Sequence, residues 1–319
     1  MSGAKEMANP LGWVREALLA IGLISLLVVG LWAATGSLPP MVVVESSSMM
    51  HDSEGEVGAI DPGDLVLVMS TSRRTNIVSM AEAMEEGGQW EGWESHGKPG
   101  DVIIYQKNGG VDTPVIHRVL LEAVANETVS PTNRETGTCP LGSSWDPISI
   151  DADGEPGTCV LTWDAPGTTV RNQPHINWSF EEVTCPGNPH GLMVQEWDPG
   201  YAGYLTLGDN NRCDVDQGSS AYPLAGGLTD ENGDRVGAVR SDWVVGVAGA
   251  EIPWLGTVKL AASSNAAQVT GHAWRMLGLS AIILLGATFM VEQVTEKILT
   301  GAPEITQAML EEESRSEEE

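Results

Sequence analysis

The run PVIHRVLL, from Pro114 to Leu121, begins with proline and continues with β-branched residues and leucine, interrupted by one histidine and one arginine. This composition is typical of a β-strand, in which successive side chains point to opposite faces of the sheet. His117 then shares a face with Val115 and Val119, whereas Arg118 lies on the other face. The run therefore predicts a strand that carries a histidine among apolar neighbours.

Other short runs of the same kind lie on both sides of this strand and are bounded by Gly, Pro or Asp. They occupy residues 41–45, 64–69, 101–105, 203–207 and 243–248. Such runs predict a mainly β domain built on a twisted, mostly antiparallel sheet or barrel. Residues 79–86, which contain Met80, Ala81, Ala83 and Met84, predict one short helix in this domain.

Two apolar segments flank the β-like region, at residues 17–34 and 276–291. The first contains no charged residue and can cross a bilayer core of about 30 Å. A cleaved signal peptide is the alternative, but its apolar stretch is only about 7 to 15 residues long, so an uncleaved anchor fits better. The second segment is extended by Ala273 and Trp274, and Trp is common at membrane interfaces. We predict two transmembrane helices.

The basic residues around the first apolar segment predict its orientation. Lys5 and Arg15 precede the segment, and the next basic residue is Arg73. Because basic residues favour the cytoplasmic side, the N-terminus is expected in the cytoplasm and the β domain outside the cell membrane. The predicted division is residues 1–35 with the first helix, 36–272 as the domain, 273–295 as the second helix and 296–319 as an acidic cytoplasmic tail. The charges beside the second helix do not support this topology independently.

The formal net charge is −28 over 319 residues. No basic stripe is available to neutralise phosphates, so we expect no nucleic-acid partner. Apart from a glutamate-rich tail, the negative charge is spread over the body of the protein, which suits a strongly solvated surface and a saline habitat. A glutamate-rich tail beginning near Glu304 is expected to be solvated as well.

Residues 126–199 differ in composition from their surroundings, being rich in Gly, Pro, Thr, Asp and Trp, and we interpret them as an insertion. Cysteines lie within and just after this insertion, in a pattern compatible with one or two disulfides outside the cytoplasm. Their spacing does not define the pairing, and none of them forms a CxxC zinc motif. We assign no metal. The cysteines are Cys139, Cys159, Cys185 and Cys213.

Ser48, in the sequence SSSM at residues 46–49, is a candidate nucleophile. Serine needs a base to remove its proton and a third group to orient that base, and His117 is the candidate base. Asp209 and Asp216 lie in GDNNRCDVD, residues 208–216, where a carboxylate could orient an imidazole. Alternating Asp and Asn oxygens could instead bind calcium, although this loop lacks the spacing of an EF-hand.

The order of these motifs resembles the signal peptidase I family, in its archaeal and endoplasmic-reticulum branch. The resemblance covers residues 43–68 (VVESSSMM…IDPGDLVLV), 100–120 (GDVIIY…PVIHRVL), 204–216 and 246–258, and it includes IPWLG at residues 252–256. It covers neither the insertion nor the tail, and His51 stands where the family often has proline. The resemblance implies a signal-peptidase-like β fold.

The resemblance also implies site residues and a function. Ser48 corresponds to the nucleophile and His117 to the base, where the bacterial branch uses lysine. Asp216 or Asp209 would orient the histidine, with Asp214 a further alternative, and the Ser46 hydroxyl would help to hold the oxyanion. His51, close to Ser48, is a weaker candidate base.

We therefore expect a serine endopeptidase that needs no cofactor and removes signal peptides from secretory preproteins after small residues of the Ala-x-Ala type. Its partners would be these preproteins, the lipid bilayer and, as a further candidate, the protein translocation machinery. The alternative is a noncatalytic membrane-tethered β domain that binds a partner or calcium on the outer surface.

Overall fold

The computed structural model describes residues 10–181, 183–185, 191–218, 226–263 and 265–301. The helices are α1 (Pro10–Thr35), α2 (Met80–Met84), α3 (Thr257–Ala262) and α4 (Gly271–Gly301). The strands are β1 (Met41–Val43), β2 (Leu65–Met69), β3 (Glu94–Ser95), β4 (Lys98–Pro99), β5 (Val102–Tyr105), β6 (Val115–Ala125), β7 (Thr128–Val129), β8 (Ser144–Ile150), β9 (Pro156–Val160), β10 (Trp163–Asp164), β11 (Ile176–Phe180), β12 (Leu192–Trp197), β13 (Gly203–Leu207) and β14 (Val244–Ile252).

The largest sheet contains seven strands in the order β1-β2-β14-β5-β6-β10, and β13 also pairs with β6. Every pairing in this sheet is antiparallel, which confirms the predicted mainly β class. Strand β6 is the longest of the strands given above. It contains most of the PVIHRVLL run and continues beyond it to Ala125. Its register places His117 opposite Ile103 of β5, and Arg118 opposite both Val102 and Leu207. Strands β5, β10 and β13 therefore all pair with β6.

Two apolar helices precede and follow the sheet. The spans Trp13–Thr35 and Gly271–Ile298 have mean hydropathies of 2.5 and 1.8, and neither is buried by the rest of the protein. Each is long and apolar enough to cross a bilayer. The second span is longer than the predicted 273–295 helix, because charged residues near its end still continue the helix.

The predicted insertion forms additional antiparallel structure that shares the core of the main sheet. Strands β7, β9 and β8 form a small sheet and β11 pairs with β12. Trp163, Phe180 and Leu192 from this region belong to the same buried cluster as Leu121 of β6 and Leu205 of β13. Burial of these large apolar side chains stabilises the contact between the insertion and the sheet.

One disulfide lies within the insertion, and the other links the insertion to the main domain. Cys139 pairs with Cys159, and Cys185 pairs with Cys213 in the loop that follows β13. Helix α2 lies beside the insertion and begins with a capping box between Ser79 and Glu82. Gly167 of the insertion packs so closely on the α2 backbone that a Cβ there would overlap Glu82 N.

The shared core predicts a large effect of truncating Leu192, which is 1% exposed. Leu192→Ala should lower the free energy of unfolding by about 2 to 5 kcal/mol, through lost burial and a residual cavity. Leu141→Ala removes the same atoms from a fully exposed insertion residue and should change stability by less than about 0.5 kcal/mol. Denaturant unfolding in detergent, followed by tryptophan fluorescence, measures both. Equal effects of the two substitutions would contradict a common core.

Candidate active site

Ser48 lies in the loop that follows the edge strand β1, and a second loop holds it in place. The Asn210 backbone N–H donates to the Ser48 carbonyl at 2.7 Å, and Asn210 Nδ2 donates to the Ser47 carbonyl at 3.0 Å. Met49, the next residue, is 1% exposed and anchors the loop in a small apolar cluster. The position of the serine therefore depends on the loop after β13.

His117 projects from β6 to Ser48. Its Nε2 lies 2.9 Å from Ser48 Oγ, and its Nδ1 lies 2.6 Å from Asp216 Oδ2. A carboxylate can only accept, so Nδ1 is the nitrogen that carries the proton and Nε2 is left to accept from the serine hydroxyl. Ser48 and His117 are far apart in the sequence, but the fold brings them together. They form a hydrogen-bonded row with Asp216.

Asp216 is buried and is held by hydroxyl groups from two strands. Tyr105 of β5 donates to Asp216 Oδ2 at 2.8 Å, and Thr206 of β13 donates to the same oxygen at 2.7 Å. Burial, together with the charge of Asp216, raises the pKa of the Tyr105 phenol well above its ordinary value, so this group stays a neutral donor. These bonds orient the carboxylate toward the imidazole.

Asp209, the other predicted aspartate, makes no hydrogen bond to His117. Its two carboxylate oxygens lie 2.8 and 2.7 Å from the Arg118 guanidinium, and His51 Nε2 lies 2.8 Å from Oδ2. Burial opposes ionisation of Asp209, but the hydrogen bonds from Arg118 and His51 and the charge of Arg118 hold its pKa well below the usual range. Asp214, the further alternative, is exposed and also makes no hydrogen bond to His117.

Arg118 was not predicted as a functional residue, yet it organises the surroundings of the site. Its side chain is fully buried and, besides Asp209, it donates to the carbonyls of Ser95 at 2.8 Å and Gly100 at 2.7 Å. The signal in the sequence was an arginine inside an otherwise apolar strand, because a buried guanidinium requires several acceptors. His51, the weaker candidate base, faces Asp209 in this network.

Two further carboxyl groups lie near His51: that of Asp61 is buried and that of Glu251 is partly buried. Burial raises the pKa of Asp61 to about 6 and that of Glu251 to about 7, and nearby carboxylates add to both shifts. The folded state therefore retains protons that the unfolded chain releases above about pH 4. Ionisation of these two groups costs stability as the pH rises from about 4 to about 7.

An apolar cleft of about 820 Å³ opens beside Ser48 and His117. Its walls include Val42 of the edge strand β1 and Ile104 and Ile116 of β5 and β6. Ser46 also lines the cleft, and its Oγ lies 3.1 Å from Ser48 Oγ. The outer edge of β1 pairs with no other strand in the described part of the chain, so its backbone groups are free to bind an extended peptide.

No family model, curated protein or solved structure matches the chain. The chemistry of the site must therefore be inferred from its geometry. A serine hydroxyl, an imidazole and a buried carboxylate in one hydrogen-bonded row are the groups required for nucleophilic acyl transfer.

The Asp209–Arg118 ion pair predicts a pH-dependent contribution to stability. Asp209→Asn should cost about 3 to 5 kcal/mol at pH 7, because it leaves the Arg118 charge buried without its counterion. The folded-state pKa of Asp209 is lowered, so its contribution is complete above the unfolded value of about 3.9 and is lost progressively as the pH falls from there toward the lowered folded-state pKa. The stability difference between the parent and the variant should therefore shrink in acid.

Asp242→Asn provides a matched control, because Asp242 pairs with Arg240 at the surface with its side chain 60% exposed. This substitution should change stability by less than about 1 kcal/mol. Urea unfolding between pH 3 and pH 7 measures both variants. A constant difference for Asp209→Asn across this range would contradict the role of the ionised carboxylate.

Proposed function

We propose that this protein is a membrane-bound serine endopeptidase of the signal peptidase I type. The observation that carries the proposal is the row of Ser48, His117 and Asp216 at the side of an apolar cleft. The same row supports the archaeal-type interpretation, with histidine in place of a lysine base. Lys107, the lysine nearest to His117 in sequence, instead forms an ion pair with Asp112 at 2.6 Å.

In the proposed reaction, Ser48 Oγ attacks the scissile carbonyl while His117 Nε2 accepts the hydroxyl proton. Collapse of the tetrahedral intermediate breaks the C–N bond, and Nε2 delivers the proton to the leaving amine. Water then attacks the acyl-enzyme, again with His117 as base, and releases Ser48. Asp216 keeps the imidazole in the required tautomer and stabilises its positive charge during both steps.

The oxyanion of each tetrahedral intermediate requires hydrogen-bond donors. Ser46 lies within hydrogen-bonding distance of Ser48 Oγ, so its hydroxyl can rotate toward the developing negative charge. The Ser48 backbone N–H is the second proposed donor, as in other enzymes whose nucleophile contributes its own amide. This assignment retains the role implied for Ser46 by the family resemblance.

The proposed substrate is the cleavage region of a secretory preprotein, bound as an extended strand along β1. Alternate side chains of such a strand point into the cleft, between walls formed by Val42, Ile104 and Ile116. In this proposal the subsites of the cleft admit only small side chains, which is the Ala-x-Ala specificity that the family resemblance implies. The translocation machinery, which supplies such substrates, remains a candidate partner.

Membrane attachment would bring the site and the substrate together. Helix α1 ends at Thr35, and β1 begins at Met41, so the nucleophile loop is only a short chain length from the first apolar helix. A signal peptide in the same bilayer would reach a high effective concentration at the cleft. With the N-terminus in the cytoplasm, the domain and its disulfides would lie in the oxidising space outside.

The noncatalytic alternative uses the Asp209 loop as a calcium site. In the structure, however, the Asp209 carboxylate already has Arg118 and His51 as partners. Calcium would have to compete with a buried guanidinium for the same oxygens, and these contacts favour a structural role for Asp209. The proximity of Ser48 and His117 favours the peptidase.

The proposed function predicts that the full-length protein in detergent cleaves a preprotein at its signal-peptide junction. Ser48→Ala and His117→Ala should each reduce the cleavage rate by about 10⁴-fold or more, because they remove the nucleophile or its base. Cleavage is followed by gel mobility and by N-terminal sequencing of the product.

Matched substitutions at exposed positions are the controls: Ser130→Ala and His175→Ala should retain the parent rate. Circular dichroism and thermal unfolding establish that the Ser48 and His117 variants remain folded. Normal processing by folded Ser48→Ala protein would refute the proposed function.

The oxyanion assignment makes a separate prediction. Ser46→Ala should lower kcat by about 10² to 10³-fold with little change in KM, since the oxyanion forms only after substrate has bound. Steady-state kinetics on an internally quenched peptide measures both parameters. An unchanged kcat would remove Ser46 from the proposed oxyanion site.

A further inference from the structure

Gly208, the residue before Asp209, lies where three polar groups of the site meet. A Cβ placed on Gly208 would lie 2.7 Å from Asn211 Nδ2, 2.7 Å from His117 Nε2 and 2.8 Å from the Ser48 carbonyl oxygen. Both nitrogens lie 2.7 Å from the same point, so the Asn211 amide nitrogen and His117 Nε2 are at most twice that distance apart. Only the absence of a side chain at Gly208 allows this close approach.

Asn211 is held by its backbone, while its side chain faces the cleft. Its N–H donates to the Gly208 carbonyl at 2.9 Å, and its carbonyl accepts from the Asp214 N–H at 2.9 Å. The side chain lines the same cleft as Ser48 and His117. Within the described residues it makes no hydrogen bond, unlike its neighbour Asn210, whose amide is used to hold the nucleophile loop.

The position of this amide decides which part of a substrate it can reach. His117 Nε2 delivers a proton to the leaving nitrogen, so that nitrogen must come within about 3 Å of Nε2. The carbonyl oxygen of the residue that carries the leaving nitrogen is separated from it by three covalent bonds, a distance of roughly 3 to 3.5 Å. The Asn211 amide lies beside Nε2 and near the Ser48 carbonyl. From there it can donate a hydrogen bond to the carbonyl oxygen of that substrate residue.

We propose that Asn211 binds the leaving side of the substrate, with Nδ2 donating to the carbonyl of the first residue after the scissile bond. This inference rests on the proposed peptidase function and adds a substrate-positioning residue to it. The bond holds the leaving nitrogen next to His117 Nε2 and so favours proton delivery and breakage of the C–N bond. Asn211 thereby contributes to formation of the acyl-enzyme and has no partner in its hydrolysis.

The test compares two substrates with the same acyl part. One is a peptide that continues beyond the scissile bond, and the other is its p-nitrophenyl ester, which has no residue on the leaving side. Asn211→Ala should lower the ratio of kcat/KM for the peptide to kcat/KM for the ester by about tenfold, the loss typical of one hydrogen bond. Asn211→Ser, which restores a short donor, should recover part of the ratio and also serves if the alanine variant folds poorly.

Asn210→Ala is the matched control, since it removes an amide that holds the loop and contacts no substrate. It should lower both rates by a similar factor and leave the ratio unchanged. If Asn211→Ala lowers both rates equally, the amide serves the oxyanion or the loop and the inference is wrong. An unchanged ratio with unchanged rates would refute it as well.

The proposed function fails in a different way from the Asn211 inference. If the parent protein has no Ser48-dependent activity on either substrate, the peptidase proposal is overturned and the assignment of Asn211 falls with it. If the parent cleaves both substrates through Ser48 and the Asn211→Ala ratio does not change, only the Asn211 assignment is lost.

Discussion

The buried ion pair between Arg118 and Asp209 is the interaction on which the site depends. A guanidinium without solvent contact is stable only when carboxylate and carbonyl oxygens surround it, and Arg118 collects these from Asp209 and from the segment at residues 95–100. The bidentate geometry fixes Asp209 in position and orientation. Gly208 and Asn210 flank Asp209, so the loop that holds Ser48 is set by a charge pair that touches no reacting atom.

Strand β6 couples this ion pair to the proposed chemistry through the alternation of its side chains. Arg118 points to one face of the sheet, and His117, one residue earlier, points to the other. On the His117 side, Tyr105 and Thr206 from the neighbouring strands hold Asp216 against the imidazole. A slip of one residue in the pairing of β6 would exchange the two faces and place the charge in the cleft. The core therefore selects a single register.

The insertion contributes to the same arrangement from outside the main sheet. Its large apolar residues share the core cluster that includes Leu121 and Leu205, and the Cys185–Cys213 bond attaches it to the loop after β13. That loop carries Asp209, Asn210 and Asn211. The insertion thus restrains the segment that positions the nucleophile. The division into domains predicted at residues 36–272 and 126–199 stays a prediction, because a shared core does not define a boundary.

Elements whose signals are local can be identified from the amino-acid sequence alone. The runs at 41–45, 64–69, 101–105 and 203–207 became strands within a residue or two, and the two apolar segments became the long helices, since alternation and hydrophobic length depend only on neighbouring residues. Strand β6 continues past Leu121 because the insertion pairs with its end. The choice between Asp209 and Asp216 depended on the pairing of β13 with β6, and the cysteine partners depended on chain paths far apart in sequence. The grouping of Tyr105, Thr206 and Asn211 around the site was equally nonlocal, because these contacts form only when distant segments fold together.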